Sequence, residues 1–286
     1  NMSLANAWML TQGAVEAIQA HGTPAQKETF LPKLISGEWS GTMNLTEPNA
    51  GSDVGALRTK AVAENGAWRI TGTKIFITHG DQDMTENVVH LVLARTPNAP
   101  QGTRGISLFV VPKILVNSEG ELEQRNDLRV VSLEHKLGHM ASPTAVMSYG
   151  DNEGAIGYLL GDENQGMACM FTMMNNARLN VAVQGLAVAE RAYQRAVQWA
   201  RERIQGNDIS GQSTDKVAII RHPDVRRMLL DMKSQVEAIR ALCYSVAEAL
   251  DLANGHPDEV IREQSRGYLE LVTPIAKAWS TDQGFE

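Results

Sequence analysis

The stretch Met43-Asn44-Leu45-Thr46-Glu47-Pro48-Asn49-Ala50-Gly51-Ser52-Asp53-Val54-Gly55 gathers residue types that could hold a polar ligand. It follows a short β-prone run and is dense in small side chains. Gly51 and Gly55 let a ligand approach the backbone closely. Thr46 and Ser52 add hydroxyls, and successive N–H groups in such a turn can form a nest for an anion. The same residues also make an ordinary loop closed by Asx and Ser turns, and on residue chemistry alone that plain loop is the safer reading. The two cysteines, Cys169 and Cys243, stand far apart with no CxxC or Cys/His spacing. This argues against a zinc site or a disulfide framework, so no metal is expected, and it fits a reducing, cytoplasmic compartment.

The elements that must position these residues fall into three zones. Residues 1–37 read as helical. Leu4, Ala7, Leu10, Ala14, Ala17 and Ile18 recur at helical spacing, and His21-Gly22 stops the run. A second helix opens at Thr23-Pro24-Ala25-Gln26, where Thr23 and Gln26 can form a capping box around a first-turn proline. Residues 38–161 alternate short β-prone runs with turns. Arg58–Glu64 and Ala67–Thr71 flank Asn65-Gly66, which predicts a two-residue hairpin turn. Lys74–Thr78, Val88–Ala94, Ile106–Val111 and Thr144–Tyr149 are further runs, and strands this dense predict a β-barrel or sandwich. Asn117–Asn126 is polar and acidic and reads as a loop.

Residues 162–286 turn helical again. Gln165–Arg203 lacks proline, and a helix of that length reaches roughly 58 Å. A second helix is expected from His222-Pro223 to a left-handed stop at Asn254-Gly255. A third starts near Pro257, with Pro274 kinking or ending it. Long helices with short links pack antiparallel, as in bundles.

The chain has 286 residues, 43% hydrophobic and 21% charged, which allows about two globular domains with a substantial core. A net charge of -7 argues against a nucleic-acid binder. The sequence has no apolar run of membrane-spanning length and no secretory signal. It begins inside a helical pattern at Asn1-Met2-Ser3-Leu4, and Gln283-Gly284-Phe285-Glu286 closes no recognisable element. The expectation is a chain truncated at both ends, with an incomplete bundle.

Thr46-Glu47-Pro48-Asn49-Ala50-Gly51-Ser52-Asp53 closely resembles the signature loop of the acyl-CoA dehydrogenase family. Lys74-Ile75-Phe76-Ile77-Thr78-His79-Gly80 resembles the family's next element, in the same order and at similar spacing. Thr23-Pro24 with Gln26-Lys27, Leu31-Pro32-Lys33-Leu34 and Gly37-Glu38 also match. Leu137-Gly138-His139-Met140-Ala141-Ser142-Pro143-Thr144 resembles a family Gly-x-Arg-x-Ser-x-Thr stretch, with Met140 in place of the arginine. The insertion around Asn117–Asn126, with Glu134-His135-Lys136-Leu137-Gly138, resembles a longer bacterial subgroup that includes methylmercaptopropionyl-CoA dehydrogenases. The chain would then be a central fragment with an α+β fold: a helical N-terminal remnant, a middle β-barrel domain and a truncated C-terminal helical bundle.

The resemblance implies FAD as cofactor, with Met43, Leu45, Thr46, Gly51, Ser52, Phe76, Ile77, Thr78, Arg203, Gln205 and His222 at its site. Thr46 would bond the pyrimidine side of the flavin, Phe76 would pack on the ring, and Thr78 would reach the hydride-accepting nitrogen. Arg203-Ile204-Gln205-Gly206 resembles a shortened motif that reaches FAD of a neighbouring subunit. Ser52, Asn175 and Arg178 would hold the acyl-CoA. One family branch carries its catalytic glutamate at the position of Ala177. The other branch places it late in the helical domain. No catalytic residue is therefore expected in this chain, and the base is expected beyond Glu286, with neither Glu270 nor Glu286 in a matching motif. The implied activity is α,β-dehydrogenation of an acyl-CoA to a trans-2-enoyl-CoA, with electrons passed to an electron-transfer flavoprotein by a homodimer or homotetramer. An acyl-CoA oxidase, or a non-catalytic FAD- or CoA-binding assembly module, are the alternatives.

Overall fold

The computed structural model describes residues 2–211 and 214–285. The chain forms two compact units, Asn1–Ala177 and Arg178–Glu286. In the first, helices α1 (Met2–His21) and α2 (Pro24–Ser36) precede a sheet. The α2 start is the expected capping box: the Thr23 hydroxyl accepts the Gln26 N–H at 3.2 Å and the Gln26 side chain accepts the Thr23 N–H at 2.9 Å. These bonds satisfy groups that a bare helix end leaves open.

The strands are β1 (Trp39–Asn44), β2 (Lys60–Glu64), β3 (Ala67–Thr78), β4 (Asn87–Ala94), β5 (Ser107–Pro112), β6 (Ile114–Val116), β7 (Leu122–Arg125), β8 (Leu128–Leu133), β9 (Thr144–Tyr149) and β10 (Ala155–Leu160). Eight of them form one curled half-barrel sheet in the order β1-β4-β5-β10-β3-β9-β8, with β2 paired to β3. β1 and β4 pair in parallel; the other pairings are antiparallel. β4 and β5 are buried along their whole length, so side-chain alternation sorts residues between two apolar faces rather than between core and water. Val89, Leu91 and Leu93 pack with Leu10, Ala14, Ile18 and Phe30 of the helices. Val92 and Ala94 turn to the opposite face, with Ile70, Phe109, Met147 and Tyr149. α1 lies close on β1 because Gly41 has no side chain: a Cβ there would stand 2.4 Å from that of Ala14. The Thr11 hydroxyl accepts the Gly41 N–H at 3.1 Å and secures this approach.

Asn65 and Gly66 both take positive φ, 50° and 81°, and close the β2–β3 hairpin as the sequence indicates. Other elements differ from expectation. Ala67–Thr71 and Lys74–Thr78 belong to one strand of 12 residues. The acidic segment 117–126 is not simply a loop, because β6 and β7 form a hairpin there. Its turn is held by the Asn117 side chain, which accepts the N–H groups of Glu119 and Glu121, each at 2.9 Å. β7 is exposed throughout, so no apolar alternation marks it.

In the second unit, the later part of α3 (Gly166–Glu202) packs with α4 (Pro223–Gly255) and α5 (Glu259–Phe285). Ala182, Leu186, Val236, Ile239, Cys243, Val246, Val272 and Ala276 form its core. A short hairpin, β11 (Ile204–Asn207) with β12 (Lys216–Ala218), links α3 to α4. α4 has no left-handed stop at Asn254-Gly255. Instead His256 leaves the helix at φ -70°, ψ 136°, the extended conformation that Pro257 imposes on its neighbour. Nor does Pro274 end α5, which continues to Phe285. Val272 and Ala276 on either side are buried in the core, and that packing offsets the backbone bond a proline removes. No described helix is long and apolar enough to cross a membrane.

Candidate functional site

The ends of β1 and β3 meet although they are not neighbours in the sheet order. The Thr42 hydroxyl donates to the Thr78 carbonyl at 2.7 Å, and the Ile75 N–H donates to the Thr46 carbonyl at 2.9 Å. At this seam β3 loses its regular register with β9 between Lys74 and Ile77. Phe76 takes φ 59° and His79 φ 50°, a left-handed backbone that costs a side-chain-bearing residue roughly 1–2 kcal/mol. The outcome is that Phe76 is left 58% exposed.

The loop after β1 is fixed from beneath. Lys74 has no exposed side-chain surface and Glu47 only 3%, and their charges meet at 2.9 Å. Lys74 also donates to the Leu45 carbonyl at 3.0 Å. The Glu47 carboxylate accepts the Arg58 N–H at 2.6 Å, the Thr59 N–H at 3.1 Å and the Thr59 hydroxyl at 2.6 Å. Burial alone would raise the Glu47 carboxyl, but Lys74, Thr59 and Arg58 together outweigh it and hold it below the ordinary range. Burial pushes Lys74 down to about 8, with Glu47 opposing that shift. Glu47 and Ala50 exchange backbone bonds of 3.0 Å, and the Asn49 side chain donates to the Ala56 carbonyl at 2.9 Å. Arg95 gathers the carbonyls of Gly55, Leu57, Pro100 and Gly102. These ties leave Gly51, Ser52 and Asp53 as an exposed tip, with open space around Gly51.

The seam therefore brings together Met43, Leu45, Thr46, Phe76 and Thr78, with Gly51 and Ser52 on the same loop. Met43 and Leu45 are half-buried against the helix-side core. Thr46 and Thr78 are half-buried and Ser52 is exposed; none of their three hydroxyls bonds another described residue. Two unengaged hydroxyls beside an exposed aromatic ring suit a planar ligand with polar edges. Ile77 is the exception: its side chain is 2% exposed in the opposite core, so only its backbone is available to such a ligand.

The other expected positions lie on α3 or in the second unit. Arg203 donates to the Gln205 side chain at 3.2 Å, and the His222 Nε2 and Gln205 carbonyl are 2.7 Å apart. These three residues form a cluster of their own around the β11 turn. Asn175 is exposed and Arg178 half-buried, one helical turn apart on α3 and on either side of the division between units. Ala177 places no carboxylate there. Glu270 is exposed on α5, and Glu286 lies outside the described residues. A cleft of about 600 Å³ beside Arg69, Asn126, Asp127 and Asp151 contains none of the expected residues. Its Asp127 carboxylate is already engaged by the N–H groups of Asn152, Glu153 and Gly154. Among the described residues no group of three or more His, Cys, Asp or Glu could hold a metal ion.

Sequence reasoning missed Lys74, His79, Arg95 and a buried set behind β1. In that set the Tyr149 hydroxyl donates to Asn44 at 2.8 Å and meets His90 Nδ1 at 2.9 Å. Burial holds His90 down to about 3 and therefore neutral, and raises the Tyr149 hydroxyl well above its usual range. A lysine opening a run of apolar β-formers was the available signal for Lys74, since such a position is buried only with a partner.

Residues 42–151 match the family model for the acyl-CoA dehydrogenase middle domain, and residues 164–282 match that for the acyl-CoA dehydrogenase C-terminal domain. The chain is 54% identical over 287 residues to 3-methylmercaptopropionyl-CoA dehydrogenase of Ruegeria pomeroyi, covering 100% of this chain and 48% of that protein. It is 42% identical over 285 residues to butyryl-CoA dehydrogenase of Syntrophomonas wolfei, covering 97% of this chain and 47% of that protein. The solved acyl-CoA dehydrogenase from Geobacillus kaustophilus matches at a TM-score of 0.71 and 25% identity, over 94% of this chain and 61% of that one. The chain spans about half the length of the curated relatives it matches.

The buried pair makes a prediction for stability. Lys74→Met leaves the Glu47 carboxylate buried without its counter-charge and should lower the unfolding free energy by about 3–5 kcal/mol. The double variant Glu47→Leu/Lys74→Met should lose clearly less. Because Glu47 is held below its ordinary value, its contribution is full above the ordinary carboxylate range and is lost as pH falls through the lowered value. The acid limb of the stability curve should therefore be shallower in Glu47→Gln. Urea denaturation across pH checks both; a double variant as damaged as Lys74→Met would contradict the pairing.

Proposed function

The chain belongs to the acyl-CoA dehydrogenase family, and on that premise we propose that the β1–β3 seam holds the flavin of an FAD-dependent acyl-CoA dehydrogenase. The carrying observation is the set of unengaged hydroxyls of Thr46 and Thr78 beside the exposed Phe76 ring. Bound FAD supplies the acceptor for the hydride that leaves the substrate β-carbon.

In this reading Thr46 and Thr78 donate to polar edges of the flavin ring, and Phe76 covers its face. Aligned donors stabilise negative charge on a ring most where water is excluded, and the half-buried Thr positions meet that need. Ser52 on the loop tip and Asn175 and Arg178 on α3 hold the acyl-CoA. The substrate α-proton is poorly acidic, so its removal needs a carboxylate beside a hydrogen-bonded thioester oxygen. Ala177 supplies no carboxylate for this step. Arg203, Gln205 and His222 serve FAD of a neighbouring subunit in a homodimer or homotetramer. Electrons pass on to an electron-transfer flavoprotein in the bacterial cytoplasm, in the oxidation of fatty acyl-CoAs. The 54% identity with a 3-methylmercaptopropionyl-CoA dehydrogenase supports a short, sulfur-containing acyl chain as one substrate to try.

Two outcomes test this. Thr46→Val and Thr78→Val should each weaken FAD retention about three- to tenfold, the value of one lost hydrogen bond; unchanged retention and unchanged redox behaviour in both would contradict the seam assignment. In anaerobic absorbance, the FAD-reconstituted chain should keep its flavin oxidised when saturated acyl-CoAs are added. Bleaching would mean that a base lies within residues 1–286.

A further inference from the structure

We propose that His79 is a positioning residue for the Thr78 hydroxyl and the Phe76 ring, fixed in turn by Ser142 on the loop between β8 and β9. The inference rests on the reading of the seam as a flavin site.

Thr78 is the last residue of β3, paired with Thr144 just after the register shift between Lys74 and Ile77, and a left-handed residue follows it. Upstream, Ile75 is tied to Thr46, and the Thr78 carbonyl is taken by Thr42. Downstream, everything passes through His79. Its N–H donates to the Pro143 carbonyl at 2.8 Å, and its ring is buried, with the residue only 3% exposed. Nε2 lies 3.3 Å from the Ser142 hydroxyl. That hydroxyl also accepts from the Asn6 side chain at 3.2 Å. Burial lowers the proton affinity of His79 first, the Ser3 backbone works the other way, and the Lys136 charge lowers it further.

Ser142 is itself held. Its N–H donates to the His139 carbonyl at 2.9 Å, and Lys136 bridges the Ser142 carbonyl and the Thr144 hydroxyl. Thr144 is the register partner of Thr78 across β3–β9. The imidazole thus closes a ring of contacts from Thr78 through His79 and Ser142 to Thr144 and back. Gly80 adds a steric limit, since a Cβ there would stand 2.8 Å from the Met147 sulfur. With both flanks fixed, the Thr78 hydroxyl is held in place without spending a hydrogen bond of its own. Such a group is preorganised for a ligand.

The test compares His79→Leu, His79→Asn and Ser142→Ala with the unaltered chain. Amide exchange at residues 75–80 is followed without flavin, and the two-electron flavin potential is measured after FAD reconstitution. His79→Leu should quicken exchange at 75–80 about tenfold and lower the equilibrium constant for flavin reduction about tenfold, ~30 mV. His79→Asn, which tolerates the left-handed backbone and keeps a polar side chain, should restore most of both. Ser142→Ala should move both the same way by about threefold, and it reports even if His79→Leu does not fold. If exchange quickens only at 134–143 while 75–80 and the potential stay unchanged, His79 merely anchors the loop and the proposal is overturned. If the unaltered chain retains no flavin, the seam reading fails, and the exchange data alone decide whether His79 sets the backbone at Thr78.

Discussion

Lys74 carries a charge into a place with no water. Its side chain is wholly buried, and Glu47 is nearly so. Neither could stay ionised there alone, and each satisfies its remaining hydrogen-bonding capacity on the backbone or on Thr59. The constraint is geometric as well as energetic. Glu47 sits in the loop that follows β1, and Lys74 sits in β3 just where that strand abandons its register. Forming the pair forces the loop onto the strand, and the backbone bond from Ile75 to Thr46 then joins them. A buried ion pair is poor evidence of large net stabilisation, but it is demanding about register. Here the register it selects places two loose ends of the sheet side by side.

The rest of the seam follows from that placement. With the loop fixed from beneath by Glu47 and from the side by Arg95, its tip can stay open without becoming floppy. With β3 fixed at Lys74 and again at His79, Ile75 and Phe76 between them can leave the regular register before Ile77 and Thr78 resume it. Phe76 turns its ring outward, Ile77 fills the core, and Thr78 keeps its hydroxyl unengaged. Stored backbone strain of this kind persists only where the surroundings over-determine it, and it clusters at functional surfaces.

Much of this was legible in the sequence. Asn65-Gly66 specified its hairpin, Thr23 with Gln26 specified a capping box, and the apolar runs of β4, β5 and β9 were plain. Of the two segments that meet at the seam, residue chemistry alone read the first as a plain loop and the second as one β-prone run among several, and family resemblance singled them out. What the sequence hid has physical reasons. The left-handed turn at Phe76 has no local signature, because an aromatic residue adopts it only under tertiary force. The meeting of β1 with β3 depends on long-range closure between segments separated by most of the sheet. The exposed β7 offered no apolar alternation to read. Asn254-Gly255 looked like a helix stop, but Pro257 decided the geometry at His256 instead. Pro274 looked like a break, yet burial of Val272 and Ala276 on either side carried the helix through it.

The account stands or falls on whether the loop after β1 and the irregular end of β3 act as one flavin-facing surface. Hydrogen exchange of the chain with and without added FAD addresses this peptide by peptide. The account predicts that FAD slows exchange at residues 43–52 and at residues 75–79 together, while the cleft segments 124–129 and 151–154 stay unchanged. Protection confined to those cleft segments, or at only one side of the seam, would contradict it.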